Sequence, residues 1–252
     1  MSTPAADPIA EGANLFNAVW TKLVKDIGLD KLCFPKHVVW LNGAPGAGKG
    51  TNTPVLMTEL SITAQPVVTS DLLTSPECLA IKASGGLVDD TTVAGLLFKK
   101  LLDPVYRDGV MIDGFPRTRV QAECVRLFRD RLIELSKKNA GTPRAKDFPA
   151  AVFRFVVLQV TEQQAVERQL KRGREVIAAN AQVTATGKGQ IQDLRPTDTD
   201  PAAAAKRYRV FCDATVAALE SMKGVMNYHL IDATGDIPTV QGTIVSEFRG
   251  KI

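Results

Sequence analysis

The residues with the clearest capacity for chemistry form one stretch, Gly43-Ala44-Pro45-Gly46-Ala47-Gly48-Lys49-Gly50-Thr51, fed by an apolar run from Val38 to Leu41. The glycines allow backbone angles that other residues resist, so successive N–H groups can turn inward around a phosphate chain. Lys49 adds a full positive charge. A helix beginning near Lys49 to Thr51 would aim its N-terminal dipole at the same anion. The pattern is G-x-x-x-x-G-K, with Gly50 interposed before the hydroxyl of Thr51.

Two further groups could serve phosphate chemistry. Asp113-Gly114-Phe115-Pro116-Arg117-Thr118 closes another apolar run, with Gln121 four residues beyond Arg117. A carboxylate at a strand end beside a phosphate loop can hold Mg²⁺ through water, because that ion keeps most of its hydration shell. Arg168 and Arg172 are four apart on a predicted helix and share a face. Histidine plays little part: His37 and His229 each open a strand-like run and read as structural. Cys33, Cys78, Cys124 and Cys212 contain no C-x-x-C pair, so they read as reduced, mostly buried thiols rather than a zinc site or disulfides.

These groups need a frame. Residues 13–28 carry Leu15, Phe16, Val19, Trp20, Leu23, Val24 and Ile27 at helical spacing. This predicts an amphipathic helix packed on the body of the fold, with Pro35 ending the segment before strand 37–42. A helix to about Leu60 follows the glycine loop, and Val67 to Thr69 reads as a second strand. Residues 71–102 read as helical in pieces, with a turn at Gly85-Gly86. Gly109 to Asp113 is a third strand, and Thr118 to Lys138 a helix. A polar, proline-containing loop covers 137–149. Phe153 to Val160 has the apolar character of a central strand, followed by a helix from Gln163 to Arg174. Residues 175–200 hold few large apolar side chains and read as an excursion from the body. Pro201 to Met222 is a long helix, Tyr228 to Ala233 a fifth strand, and Thr239 to Phe248 the last helix. Five apolar strands alternating with helices predict a parallel α/β sheet with helices on both faces. Ligands in such folds gather at the carboxyl ends of the strands, where the glycine loop and Asp113 both fall.

Composition narrows the classes. The 252 residues suit one sizeable domain with insertions, and 45% apolar with 23% charged residues excludes a disordered chain. A net charge of +4 without a long Lys/Arg run argues against nucleic acid. No apolar run reaches the roughly 18 residues of a membrane span. Met1 to Gly12 lacks a secretory apolar core and the arginines of a transit peptide, so the cytoplasm is expected, with a monomeric state.

The glycine loop reads the same as the Gly-x-Pro-Gly-x-Gly-Lys-Gly-Thr of the adenylate kinase family, and Asp113 to Thr118 with Gln121 matches that family's second signature. From about Val38 to Ile244 the chain resembles that family of P-loop nucleoside monophosphate kinases. The resemblance implies ATP on Gly46, Ala47, Gly48, Lys49, Gly50, Thr51, Arg168 and Gly235, and hydrated Mg²⁺ organised by Asp113. It implies AMP against Thr69, Gly86, Val88, Gly114, Arg117, Gln121 and Arg207, with Arg117 gripping the acceptor phosphate and Gln121 the adenine edge. Lys49, Arg117, Arg168, Arg172, Arg195 and Arg207 would be the catalytic cations, with Arg209 as a competing assignment for Arg207.

By the same likeness, residues 1–36 are an N-terminal extension and 37–252 a kinase domain, with a mobile acceptor arm at about 70–90 and a lid at about 175–200. The arm departs from the family. It is shorter, and Thr74 stands where the family carries an arginine for the acceptor phosphate. Lys82 lies nearby, but an ammonium cannot reproduce the bidentate grip of a guanidinium. The expected reaction is reversible transfer from Mg·ATP to AMP giving two ADP. Two other readings stay open: a kinase for UMP, CMP or a deoxynucleotide, and a nucleotide-binding scaffold with weak or no catalysis.

Overall fold

The computed structural model describes residues 7–83 and 88–249. Its strands are β1 His37–Gly43, β2 Val67–Val68, β3 Val110–Asp113, β4 Val152–Gln159 and β5 Asn227–Asp232. All neighbours pair in parallel, in the order β2-β3-β1-β4-β5. Leu41 is in register with Asp113 on one side and Val156 on the other, so the glycine loop leaves the sheet directly beside the Asp113 turn.

The helices are α1 Pro8–Ile27, α2 Lys49–Glu59, α3 Pro76–Ala83, α4 Asp90–Leu101, α5 Arg119–Asn139, α6 Glu162–Thr186, α7 Pro201–Glu220 and α8 Ile237–Arg249. Side chains alternate along a strand, which splits the core in two. Val38, Trp40, Ile112 and Phe155 face one cluster with Phe16 of α1, Phe98 of α4 and Phe128 of α5. Val39, Leu41, Met111 and Val156 face the other, with Leu56 of α2 and Ile244 and Phe248 of α8. The predicted α/β sheet with helices on both faces is the architecture found.

Three boundaries differ from the sequence expectation. Helix α1 begins ahead of residue 13, because Asp7 accepts the Ile9 N–H at 3.1 Å and Pro8 sits at the first helical position. Apolar spacing carries no record of a cap. Helix α6 runs on past Arg174 to Thr186, so the excursion rises as a continuation of that helix and not as a loop. The loop at 137–149 is partly helix, since α5 reaches Asn139, and it is anchored by Phe148 packed edge-on against Phe34 with ring centroids 4.7 Å apart. The turn at Gly85-Gly86 lies outside the described residues.

Candidate active site

The glycine loop leaves β1 and enters α2 at Lys49, which begins the helix just after Gly48. Gly46 has φ of 83°, and a side chain there would collide with the backbone carbonyl of Ala165 on α6, so only glycine fits. Gly50 and Thr51 lie exposed in the first turn of α2. The Lys49 ammonium donates to the loop's own carbonyls, Gly43 at 2.9 Å and Ala44 at 3.4 Å. Burial lowers its proton affinity; Asp113 opposes this, while Arg117, Arg207 and Arg195 add to it.

Asp113 ends β3 beside this loop. Its Oδ1 is buried and without a hydrogen-bond partner. Burial raises its pKa, against the pull of Lys49 and Arg117. A buried polar atom lacking a partner costs free energy, so this oxygen is suited to accept from a bound group. Among the described residues there is no group of three or more His, Cys, Asp or Glu placed to hold a metal ion.

Arg117 is held at every backbone group. Its N–H donates to Gln121 Oε1 at 2.7 Å, its carbonyl accepts from Thr215 of α7 at 3.0 Å, and its Nε donates to the Gly114 carbonyl at 2.8 Å. Arg117 is exposed as a residue, while burial lowers the proton affinity of its guanidinium against the pull of Asp113. Thr69 donates to the Asp113 carbonyl at 3.0 Å. Thr69, Leu73, Val88, Val93, Gly114, Phe115, Arg117 and Gln121 line one small cavity, so most of the predicted acceptor residues meet there. Gly86 and the side chain of Lys82 lie outside the described residues.

Helix α6 supplies two arginines. Arg168 donates to the Gly235 carbonyl at 2.9 Å and more weakly to that of Thr234, joining the loop after β5 to the helix. Arg172 pairs through both nitrogens with Asp198, Nε lying 3.1 Å from Oδ1. The Asp198 side chain is fully buried and also accepts the Arg195 N–H at 2.9 Å. Arg207 on α7 reaches Thr197 at 3.3 Å, and its proton affinity is lowered by burial and then by Arg195, Arg117 and Arg172. Arg209 points elsewhere, paired with Glu162 at 3.0 Å. Of the two candidates on α7, Arg207 is the one that shares the cleft.

Lys49, Asp113, Arg117, Arg172, Arg195 and Arg207 therefore form one chain of groups, each within electrostatic range of one or more of the others, with Asp71 and Asp198 beside them. The cations outnumber the carboxylates, so the arrangement favours a polyanion.

Sequence reasoning passed over Asn42, Gly173, Thr215 and Asp90. Asn42 left one signal, an amide in an otherwise apolar strand. The other three show their part only through partners distant in the chain.

A parallel sheet with a phosphate loop at the end of its central strand and a ring of cations beside it defines a P-loop kinase. No family model matches the chain. It is 30% identical over 216 residues to the adenylate kinase of Beijerinckia indica subsp. indica, covering 81% of this chain and 95% of that one. It is 28% identical over 218 residues to the adenylate kinase of Sorangium cellulosum, covering 83% and 95%. With that of Nitrobacter winogradskyi it shares 31% over 164 residues, 62% of this chain and 71% of the relative. The chain belongs to the adenylate kinase family and is a nucleoside monophosphate kinase. Among the described residues no helix is long and apolar enough to cross a membrane.

Proposed function

We propose that this chain transfers the γ-phosphoryl group of ATP reversibly to AMP, with Mg²⁺, giving two ADP. The observation that carries this reading is the electrostatic cluster of Lys49, Arg117, Arg195, Arg207 and Arg172, in which the buried Asp113 oxygen is unpartnered and lies within range of Lys49, Arg117 and Arg195. An oxygen of the acceptor phosphate attacks the γ-phosphorus, and the bond to the β,γ-bridging oxygen breaks with its electron pair leaving on ADP. The attacking oxygen is already ionised, so no base is required. Histidine-free chemistry follows.

Each residue then has a physical task. The amides of 46–51 and Lys49 hold the donor phosphates, with Arg168 and Gly235 beside the ATP base. Arg117 orients the acceptor phosphate, and Thr69, Val88, Gly114 and Gln121 surround its base. Arg172, Arg195 and Arg207 stabilise the charge on the phosphoryl group in flight. Positioning and electrostatics supply the rate, and removing one such group should cost on the order of 10²–10³-fold.

Asp113 fits hydrated Mg²⁺, because its buried oxygen lacks a protein partner and a carboxylate is a hard oxygen ligand that can hold the ion through its water. When bound, the ion would offset charge on the donor phosphates. Segments 70–90 and 175–200 would close over the cleft to keep out water, which would otherwise take the phosphoryl group. We place the enzyme in the cytoplasm as a monomer acting on small nucleotides.

A coupled assay for ADP formation with a panel of nucleoside monophosphates tests the reading. Turnover fastest with AMP is the expected result. Thr74 supports a second reading, a preference for another monophosphate, because the arm lacks the arginine that grips AMP in the family. Faster turnover with UMP, CMP or a deoxynucleotide would favour it, and ATP binding without transfer to any acceptor would mark a scaffold.

A further inference from the structure

At the rim of the acceptor cavity a closed ring of hydrogen bonds fixes one side chain. Gln121 accepts at Oε1 from the Arg117 N–H at 2.7 Å and donates from Nε2 to Asp90 Oδ1 at 2.7 Å. The other carboxylate oxygen of Asp90 accepts from the Thr118 hydroxyl at 3.0 Å, and that hydroxyl accepts the Gln121 N–H at 3.1 Å. A backbone N–H can only donate and a carboxylate can only accept, so chemistry alone decides which end of the Gln121 amide is oxygen. Turning the amide over would set donor against donor at Arg117 and acceptor against acceptor at Asp90. The orientation is locked.

The locked amide keeps one N–H and one oxygen lone pair for a ligand, in a set order. Gln121 lines the cavity read as the acceptor-base site, where that order would meet the base edge. It complements an exocyclic amino group beside a ring nitrogen that accepts, as in adenine and cytosine. Hypoxanthine, guanine and uracil present the reverse, a carbonyl beside a ring N–H. A free glutamine could flip to suit either edge.

We propose that Asp90 is a positioning residue that determines acceptor specificity, by pinning Gln121 so that amino-bearing bases are selected over oxo-bearing ones. This rests on the reading of that cavity as the acceptor base site. It adds a discriminating residue at the start of α4, in a stretch where neither the glycine loop nor the arginines have a part.

Steady-state kcat/KM for AMP against IMP, and for CMP against UMP, tests it on the wild-type enzyme. The amino member of each pair should lead by on the order of a hundredfold or more, because the oxo analogue leaves the site's polar groups unpaired. Asp90→Asn, whose amide both donates and accepts, removes the acceptor-only partner and leaves the Arg117 N–H as the single remaining lock, so the AMP-to-IMP ratio should shrink by on the order of tenfold, with KM for ATP near its wild-type value. Asp90→Ser is the second variant should the first not fold, with the same expected change in ratio. Equal use of AMP and IMP by the wild type would overturn the inference while leaving monophosphate kinase activity standing. A ratio unmoved in both variants would overturn the role of Asp90. Absence of transfer to any of these acceptors would overturn the inference together with the reading beneath it.

Discussion

Asn42 donates from Nδ2 to the carbonyl of Pro116 at 2.8 Å, and its Oδ1 accepts the N–H of Gly43 at 2.8 Å. One buried amide thus ties the first residue of the phosphate loop to the turn that carries Arg117. The spacing between the proposed donor and acceptor phosphate grips runs through this side chain. Asn42→Leu leaves a buried N–H and a buried carbonyl without partners, at a cost of about 1–3 kcal/mol. We expect a lower urea midpoint and a fall in kcat larger than any rise in KM for ATP. Steady-state kinetics alongside denaturation checks both.

Lys49 sets function against stability. Burial holds its proton affinity below the ordinary lysine value, so between the lowered value and the ordinary one the folded chain binds fewer protons than the unfolded chain. Stability contributed by this group therefore rises with pH across that window, and below it the charge is a net cost. Lys49→Met should abolish measurable transfer while raising the melting temperature near neutral pH. The advantage should shrink as pH approaches the ordinary lysine value of 10.5. Melting curves across that range decide the sign, and a variant that melts below wild type at neutral pH contradicts it.

Arg207 and Arg209 make a paired test. Both side chains are exposed, but Arg207 lies within electrostatic range of Arg195, Arg117 and Arg172, whereas Arg209 is held to Glu162. Arg207→Ala should lower kcat on the order of 10²–10³-fold. Arg209→Ala should stay close to wild type in both rate and stability, since exposed ion pairs contribute about 0–1 kcal/mol. The reverse order in the same coupled assay would exchange the two roles.

Gly173 sits where α6 crosses the turn at 196–198, and an added methyl would meet the backbone carbonyl of Asp198. Overpacking of this kind costs about 1–3 kcal/mol. Gly173→Ala should therefore destabilise the fold and also lower kcat, because the shift separates Asp198 from Arg172. Adding back Mg·ATP at saturation should not restore the rate. Thermal denaturation and kinetics together separate the two effects.

Much of the site was legible from sequence because it is local. A phosphate loop needs its glycines, lysine and following helix in one unbroken stretch, and Gly43 to Thr51 supplies them. Asp113 to Gln121 is similarly contiguous, and the spacing of Arg168 and Arg172 on one helix is enough to place them on a shared face. Apolar runs also announced the strands, since the central ones are buried on both sides of the sheet.

The excursion after Arg174 was legible as a departure from the body, but its continuation of the helix to Thr186 was not, because that part of the helix is not built on an apolar face. Ala178, Ala179 and Ala181 favour helix by propensity alone, and Asn180 ties the returning chain at Gln192 through hydrogen bonds of 2.9 and 2.8 Å. The choice between Arg207 and Arg209 also lay beyond the sequence, since two residues of helical rotation send them to different neighbours. Asn42, Asp90, Gly173 and Thr215 gain their meaning from partners far along the chain. Short-range backbone chemistry writes a phosphate loop into consecutive residues. The distance between two phosphate grips, and the orientation of one amide beside a base, exist only once the sheet has brought separate strand ends together.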